Sequence, residues 1–310
     1  MSAPPPRAAV VVGTRGSALA LAQTARVCAL LEAVHPGLST EARPVVTRGD
    51  RTQASGEPLP AIGGKGLFTA ELDQELRAGT IDLAVHSLKD LPTEEVDGVV
   101  LGAVCLRDDV RDCLVSRSGV LNELPAGAIV GTSSLRRSAQ LRALRPDLEV
   151  RSIRGNVETR IRKVREGDYD GTLLAAAGIA RLGLEHEVAE WLDADVFVPA
   201  PGQGALAVQC RADDAATLEL LAAVDDSAAR AATTAERAFL RALGAGCTAP
   251  VAAYGTPSGE EIQLDGLVAL PDGRDVVRVS GRGEPEKVGE RLARDARHAG
   301  ADAILEAARG

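Results

Sequence analysis

The stretch VVVGTRGSALALAQ (residues 10–23) and its echo AIVGTSSLRR (residues 128–137) decide the fold. Each opens on a short apolar run, passes through a loop of glycine and hydroxyl residues, and enters a helical pattern. The first helix runs on through Glu32 and the second to about Leu144. A strand that turns through a small-residue loop into a helix is the repeating unit of an α/β sheet protein. Working outward, the segments 44–47, 81–85, 99–105, 113–116, 148–152, 172–176 and 205–210 read as further strands. Phe68, Leu72 and Leu76 recur at helical spacing, and another helix runs from residue 157 to 165. The charged segment 107–112 reads as a domain crossover, and PAPGQG (199–204) as a hinge-like return. Helical patterns near 214–223 and 227–243 precede alternating strands around 249–255, 262–270 and 275–280, then helices to the end. The expectation is an α/β domain 1 over residues 1–104 and 205–224, a second α/β domain over 110–199, and an α+β domain 3 over 227–310.

A chain of 310 residues is long for one core, in keeping with that division. Aromatic residues are scarce, with three Phe, two Tyr and one Trp, so stacking platforms for bases are missing. A net charge of −9 also argues against a nucleic-acid partner. No apolar run is long enough to span a bilayer, and MSAPPPRAAVVVG carries no long apolar secretory core. The five cysteines, Cys28, Cys105, Cys113, Cys210 and Cys247, form no CxxC pair, and no two of the four histidines stand at metal-ligand spacing. These features give a cytoplasmic protein with reduced thiols and no metal site.

Under the α/β reading, ligands belong at the carboxyl ends of the strands. The loops there share a composition. Arg15 and Ser17 occupy one, and Thr132, Ser133, Ser134, Arg136 and Arg137 another. Arg154, Gly155, Asn156 and Arg160 form a third, and Arg181 follows the next strand. Small residues, free N–H groups at a helix start and a guanidinium together make an anion site. One such loop alone reads as a capped helix with a surface arginine; recurrence in four favours a ligand with several carboxylates or phosphates. Only four of the 35 cationic residues are lysines: Lys65, Lys89, Lys163 and Lys287. Arginine predominates, the better bidentate carboxylate binder.

Gly63-Gly-Lys65-Gly66 is no phosphate-binding P-loop, because Leu59 replaces the first glycine and Gly66 the magnesium-binding hydroxyl. His86-Ser87-Leu-Lys89-Asp90 is the sharpest signal for charge chemistry, offering a cation for an anionic substrate and an anion for developing positive charge. As a mere surface ion pair it would be worth little. Cys247, in GAGCTAP (244–250), sits on a Gly-rich loop after a helix and reads as a nucleophile or an attachment point.

Several strings in one order resemble the hydroxymethylbilane synthase (porphobilinogen deaminase) family. They are GTRGSALALAQ (13–23), VTRGD (46–50), GGKGLF (63–68), AVHSLKDLP (84–92), GTSSLRR (131–137), RGNVETR (154–160), APGQGA (200–205) and AERAFLRALGAGCTAPV (235–251). The resemblance implies two domains like type II periplasmic binding proteins, an active cleft between them, and a third domain presenting Cys247. It implies a dipyrromethane cofactor joined by thioether to Cys247, and four porphobilinogens deaminated and condensed head to tail, then released as hydroxymethylbilane. Six pyrrole rings bring twelve carboxylates, which accounts for the arginine-bearing loops. By the same match, Lys89, Asp90, Thr132, Ser133, Ser134, Arg136, Arg137, Arg154 and Gly155 hold the cofactor. Arg15, Ser17, Lys65, Ser87, Arg154, Arg160, Arg181 and Gln203 hold substrate. Asp90, assisted by Lys89, stabilises the cation formed as ammonia leaves. Monomeric state follows only from the resemblance. One departure is Ala61, where the family commonly has lysine on the loop near 48–64, a segment whose Gly, Pro and Ser content predicts mobility.

Two other classes fit parts of the sequence. A ligand-binding or regulatory protein on the same scaffold needs neither Cys247 nor Asp90. A cysteine-nucleophile hydrolase needs a histidine base, and no histidine here sits in a partner motif.

Overall fold

In the computed structural model, residues 8–48, 69–94, 96–246 and 248–308 are described. Lys65, Ala61, most of the 48–64 loop and Cys247 lie outside them. The chain divides into two compact units, residues 1–107 with 205–230 and residues 108–204 with 231–310.

The first unit is built on a five-stranded sheet of order β2-β1-β3-β10-β4. Its strands are β1 (Ala9–Arg15), β2 (Ser39–Val45), β3 (Leu83–Ser87), β4 (Val99–Cys105) and β10 (Leu206–Arg211). The first three run parallel, and β10 lies antiparallel between β3 and β4. Alternation along β1 sends Val10 and Val12 to one face and Val11 to the other. Val10 and Val12 meet Val27 and Leu31 of α1 (Ala18–Val34). On the opposite face Val11 meets Leu72 and Leu76 of α2 (Ala70–Ala78), so the sheet is covered on both sides, as parallel strands require. Gly13 is needed at this crossing, because a Cβ there would stand 2.9 Å from the Leu72 side chain.

The second unit carries two sheets. One has the order β7-β6-β8-β5-β9, from β5 (Asp112–Ser116), β6 (Ile129–Gly131), β7 (Glu149–Arg151), β8 (Gly171–Ala175) and β9 (Glu190–Trp191). It repeats the plan of the first sheet: three parallel strands in the order second, first, third, then an antiparallel strand. Helices α3 (Leu135–Leu144), α4 (Val157–Glu166) and α5 (Ala176–Arg181) follow β6, β7 and β8. Both α/β halves expected from the sequence are therefore present with the same strand order. The other sheet is the antiparallel meander β11 (Val251–Ser258), β12 (Glu261–Ala269) and β13 (Val276–Gly283). Phe239 of the helix Ser227–Ala242 and Leu292 of the helix Pro285–His298 fill its core. Ala252, Leu267 and Ala269 also pack on Ala139 of α3, and Arg142 of α3 donates to the Pro271 carbonyl at 2.7 Å. The meander thereby braces the helix that carries Arg136 and Arg137.

Candidate active site

Strands β1 and β3 are parallel neighbours, with Val12 opposite Leu83 and Gly13 opposite Ala84. Their carboxyl ends therefore emerge side by side, which brings the Arg15–Ser17 loop next to the His86–Asp90 segment. Ser17 caps α1 by accepting from the Ala20 N–H at 3.3 Å. Beyond β3 the chain makes a single 3-10 turn, Leu88–Asp90, anchored by fully buried Leu88, whose N–H donates to the Ala205 carbonyl at 3.0 Å. Gln23 of α1 donates to the Ser87 hydroxyl at 2.9 Å and ties the two loops together. The result is an open pocket lined by Arg15, Ser17, Gln23, Thr69, His86, Ser87 and Asp90. Lys89 is half-buried beside it. Asp90 is exposed, and among the described residues its carboxylate takes no hydrogen bond or ion pair. A carboxylate left unpaired at a strand end is available for a cation in the pocket. His86 is only 6 % exposed, and burial, then the Arg15 charge, push its pKa down to about 4, so it stays neutral at physiological pH.

The second unit repeats this construction at the ends of β6 and β7. Thr132 accepts from the Ser134 N–H at 3.2 Å, and Ser134 caps α3 by accepting from the Arg137 N–H at 3.4 Å. Ser133 donates to the Ile153 carbonyl at 2.7 Å, joining this loop to the next. There Asn156 caps α4 by accepting from the Thr159 N–H at 2.9 Å. Gly155 holds φ at +113°, and a Cβ on it would fall 2.6 Å from Thr159. Arg160 donates to the Gly155 carbonyl at 2.9 Å. Its pKa is pushed down to about 10, first by burial and then by Arg137 and Arg154. Arg154 is half-buried, and its guanidinium meets no acceptor among the described residues. The Arg160 guanidinium is thus buried beside two further cations.

Asp112, at the start of β5, was hidden inside the segment read as a crossover. It is fully buried and accepts from Arg136 at 2.6 Å, from Arg137 at 2.7 and 3.1 Å, and from Gln203 at 2.9 Å. Burial alone would raise its pKa; the two guanidinium groups outweigh that and hold it well below the usual carboxylate range. Arg136 donates also to the Val198 carbonyl at 2.9 Å. Arg181 donates to Asp108 at 2.8 Å and to the Gly204 carbonyl. Arg136, Gln203 and Arg181, all sequence candidates for ligand contact, thus also hold the protein's own frame. Asp112 pairs with Arg136 and Arg137, while Arg160 donates only to the Gly155 carbonyl and Arg154 meets no acceptor among the described residues, so these four guanidinium groups bring more positive charge than the one carboxylate they are seen to pair with. No sequence signal marks Asp112, because its partners lie 24, 25 and 91 residues away. His86 and Gln23 lie inside quoted strings, but only the parallel register shows that they share a pocket.

Cys28, Cys105, Cys113 and Cys210 are all buried. Burial pushes the Cys113 thiol up to about 12 and the Cys210 thiol up to about 11, which leaves neither as a thiolate at neutral pH. On either side of position 247, the Ala249 N–H donates to the Gly246 carbonyl at 3.0 Å. Among the described residues there is no group of side chains suited to a metal ion, and no helix is long and apolar enough to cross a membrane.

Residues 10–219 match the family model described as porphobilinogen deaminase, dipyromethane cofactor binding domain, and residues 231–298 match its C-terminal domain. Among curated proteins, a porphobilinogen deaminase of Roseiflexus castenholzii is 50% identical over 302 residues, 96% of this chain and 99% of that protein. One from Halalkalibacterium halodurans is 47% identical over 301 residues, 96% of each chain. Among solved structures, a methionine binding protein is similar at a TM-score of 0.43 and 10% identity, over 72% of this chain and 92% of that one.

Proposed function

This chain belongs to the porphobilinogen deaminase family, and from that premise we propose how its residues divide the work. The activity is that of a hydroxymethylbilane synthase, a transferase of tetrapyrrole biosynthesis with a dipyrromethane cofactor. Porphobilinogen loses ammonia, and successive units are joined head to tail into the linear tetrapyrrole.

The arginines of the second unit fit a polycarboxylate cofactor, because Arg154 meets no acceptor among the described residues and Arg160 is destabilised as a cation. We assign the carboxylates of the cofactor to Arg154, Arg160, the N–H groups around Gly155 and the loop Thr132–Ser134, with Arg136 and Arg137 supplying charge from beneath. Cys247 is the proposed thioether attachment, supported by the burial of the other four thiols. When bound, the dipyrromethane supplies the nucleophilic pyrrole carbon onto which the chain grows. In the first unit, Arg15, Ser17, Ser87 and Lys89 take substrate carboxylates, and Lys65, which follows the 48–64 loop, joins them. The proposed domain division remains residues 1–104 with 205–224, residues 110–199 and residues 227–310. Net charge and composition support a cytoplasmic enzyme without nucleic-acid or membrane partners, and the family resemblance supports a monomer.

The observation that carries the assignment is Asp90, an unpaired carboxylate at the rim of a pocket that also holds Arg15 and Ser17. As ammonia leaves, positive charge spreads onto the pyrrole nitrogen, and a fixed carboxylate there stabilises it. Asp90→Glu keeps the charge but displaces it by about one methylene, and positioning errors near ~1 Å cost on the order of 100-fold. Asp90→Glu is therefore expected to stay loaded with cofactor and turn over slowly. Asp90→Asn keeps the shape and loses the charge, and is expected to be folded and nearly inactive. The assay is hydroxymethylbilane formed per loaded enzyme, with loading read by intact mass. Wild-type turnover by Asp90→Asn would remove Asp90 from the chemistry.

A further inference from the structure

His86 is a buried titratable group of the Asp90 pocket with no role in the charge stabilisation assigned to Asp90. Its ring lines the pocket, yet its Nε2 is buried and meets no hydrogen-bond partner. A second orphan sits nearby. Gln209 of β10 is 7 % exposed, and its Oε1 is likewise buried and unmatched. The β3–β10 register explains their proximity: His86 stands opposite Ala207, and Gln209 lies two residues along on the same face. Such diagonal neighbours are within reach of long side chains. One orphan is an acceptor and the other can carry a proton, so a small side-chain rotation satisfies both with the proton fixed on Nε2. That tautomer leaves the lone pair on Nδ1. Arg15 at the same pocket, together with burial, keeps the ring neutral.

Porphobilinogen carries two carboxylates and an aminomethyl group, which as an alkylamine is an ammonium at neutral pH. Arg15 suits a carboxylate and repels the ammonium; a neutral acceptor and the Asp90 carboxylate suit the ammonium. We infer that His86 is a further substrate-contacting residue: held by Gln209 through Nε2–H, it accepts at Nδ1 a hydrogen bond from the aminomethyl group of porphobilinogen in the Asp90 pocket. The contact orients the leaving nitrogen and forms no bond to it. This rests on the reading of that pocket as the substrate site.

The test compares three variants as loaded enzyme, with cofactor content fixed by intact mass and kcat and KM measured for porphobilinogen. His86→Asn keeps an acceptor near the Nδ1 position, His86→Gln places its amide near Nε2, and His86→Leu has neither. Loss of a hydrogen bond to a charged group costs on the order of 10- to 100-fold in kcat/KM. That loss is expected for Leu and Gln, with Asn within about threefold of wild type. If His86→Leu fails to fold, the Asn and Gln pair decides alone. Equal losses in Asn and Gln, or wild-type kcat/KM in Gln or Leu, overturn the inference. Asp90→Asn run beside them separates the two layers: if it is inactive while the His86 variants are normal, only the His86 contact fails, and if it is fully active the pocket assignment fails first.

Discussion

Replacing Asp112 by Asn should loosen the second unit more than any other single polar change within it. The carboxylate is fully buried and accepts from both Arg136 and Arg137, with Gln203 as a further donor. The amide keeps the volume and one acceptor but removes the charge, leaving two buried guanidinium groups facing each other. Breaking a buried ion pair by removing one partner costs on the order of 3–5 kcal/mol, because the remaining charge is uncompensated. For a unit of this size that lowers the unfolding midpoint by on the order of 10 °C. The fluorophores suit the measurement: Trp191 on β9 pairs with Cys113, next to Asp112, and Tyr169 and Tyr254 also belong to the second unit. Thermal unfolding followed by their emission therefore reports that unit. Glu149→Gln, in an exposed pair with Arg151, is the control and should leave the midpoint in place. The folded pKa of Asp112 is depressed, so its contribution is fully present above the unfolded carboxylate value of about 4 and is lost as pH falls through the folded value. The penalty of Asp112→Asn should accordingly be constant from neutral pH down to about pH 5 and shrink only in stronger acid. A midpoint drop of less than about 2 °C at neutral pH would refute the view that Asp112 anchors the arginine pair.

Arg154→Leu should lower cofactor loading, read by intact mass, without moving the unfolding midpoint, since its guanidinium meets no acceptor among the described residues; an unchanged load would show that this loop binds nothing. Arg136→Leu should lower both, because it strips a buried partner from Asp112. For His86, a folded pKa below the unfolded value of 6.5 means that the unfolded chain binds the proton first, so stability falls as pH drops from 6.5 towards 4. His86→Asn should flatten that slope, worth up to about 3 kcal/mol, and the His86 ring should show no NMR titration above pH 5 in the folded protein. A ring that titrates near pH 6.5 contradicts its burial beside Arg15.

Strand-to-helix loops were legible in the sequence because they are local: a strand period, small residues and a capping hydroxyl within a few positions. Ser17, Ser134 and Asn156 do cap helices, with Arg15 and Arg154 two residues before their caps and Arg136, Arg137 and Arg160 in the first turns of the helices that follow. What the sequence withheld depends on partners distant along the chain. Asp112 reads in the sequence as one more charge in a crossover, yet two arginines and a glutamine converge on it and it is fully buried. Glu236 is a second case: buried in a helix, it accepts from the Gly202 N–H at 2.7 Å and the Gly255 N–H at 2.8 Å, fixing the return segment against the meander. The short strand Glu190–Trp191 escaped notice because two residues carry no periodicity. Gln23 and His86 became visible as pocket residues only once β1 and β3 were known to run parallel and in register.

The central claim is that this chain grows a tetrapyrrole on a covalent primer held by Cys247. Intact mass of the purified protein before and after a brief exposure to porphobilinogen, followed by peptide mapping, tests it in one measurement. The account predicts a dipyrromethane adduct at the start, a ladder of added pyrrole units after exposure, and all of it on the peptide containing Cys247. A bare thiol throughout, or an adduct on Cys28, Cys105, Cys113 or Cys210, would contradict it.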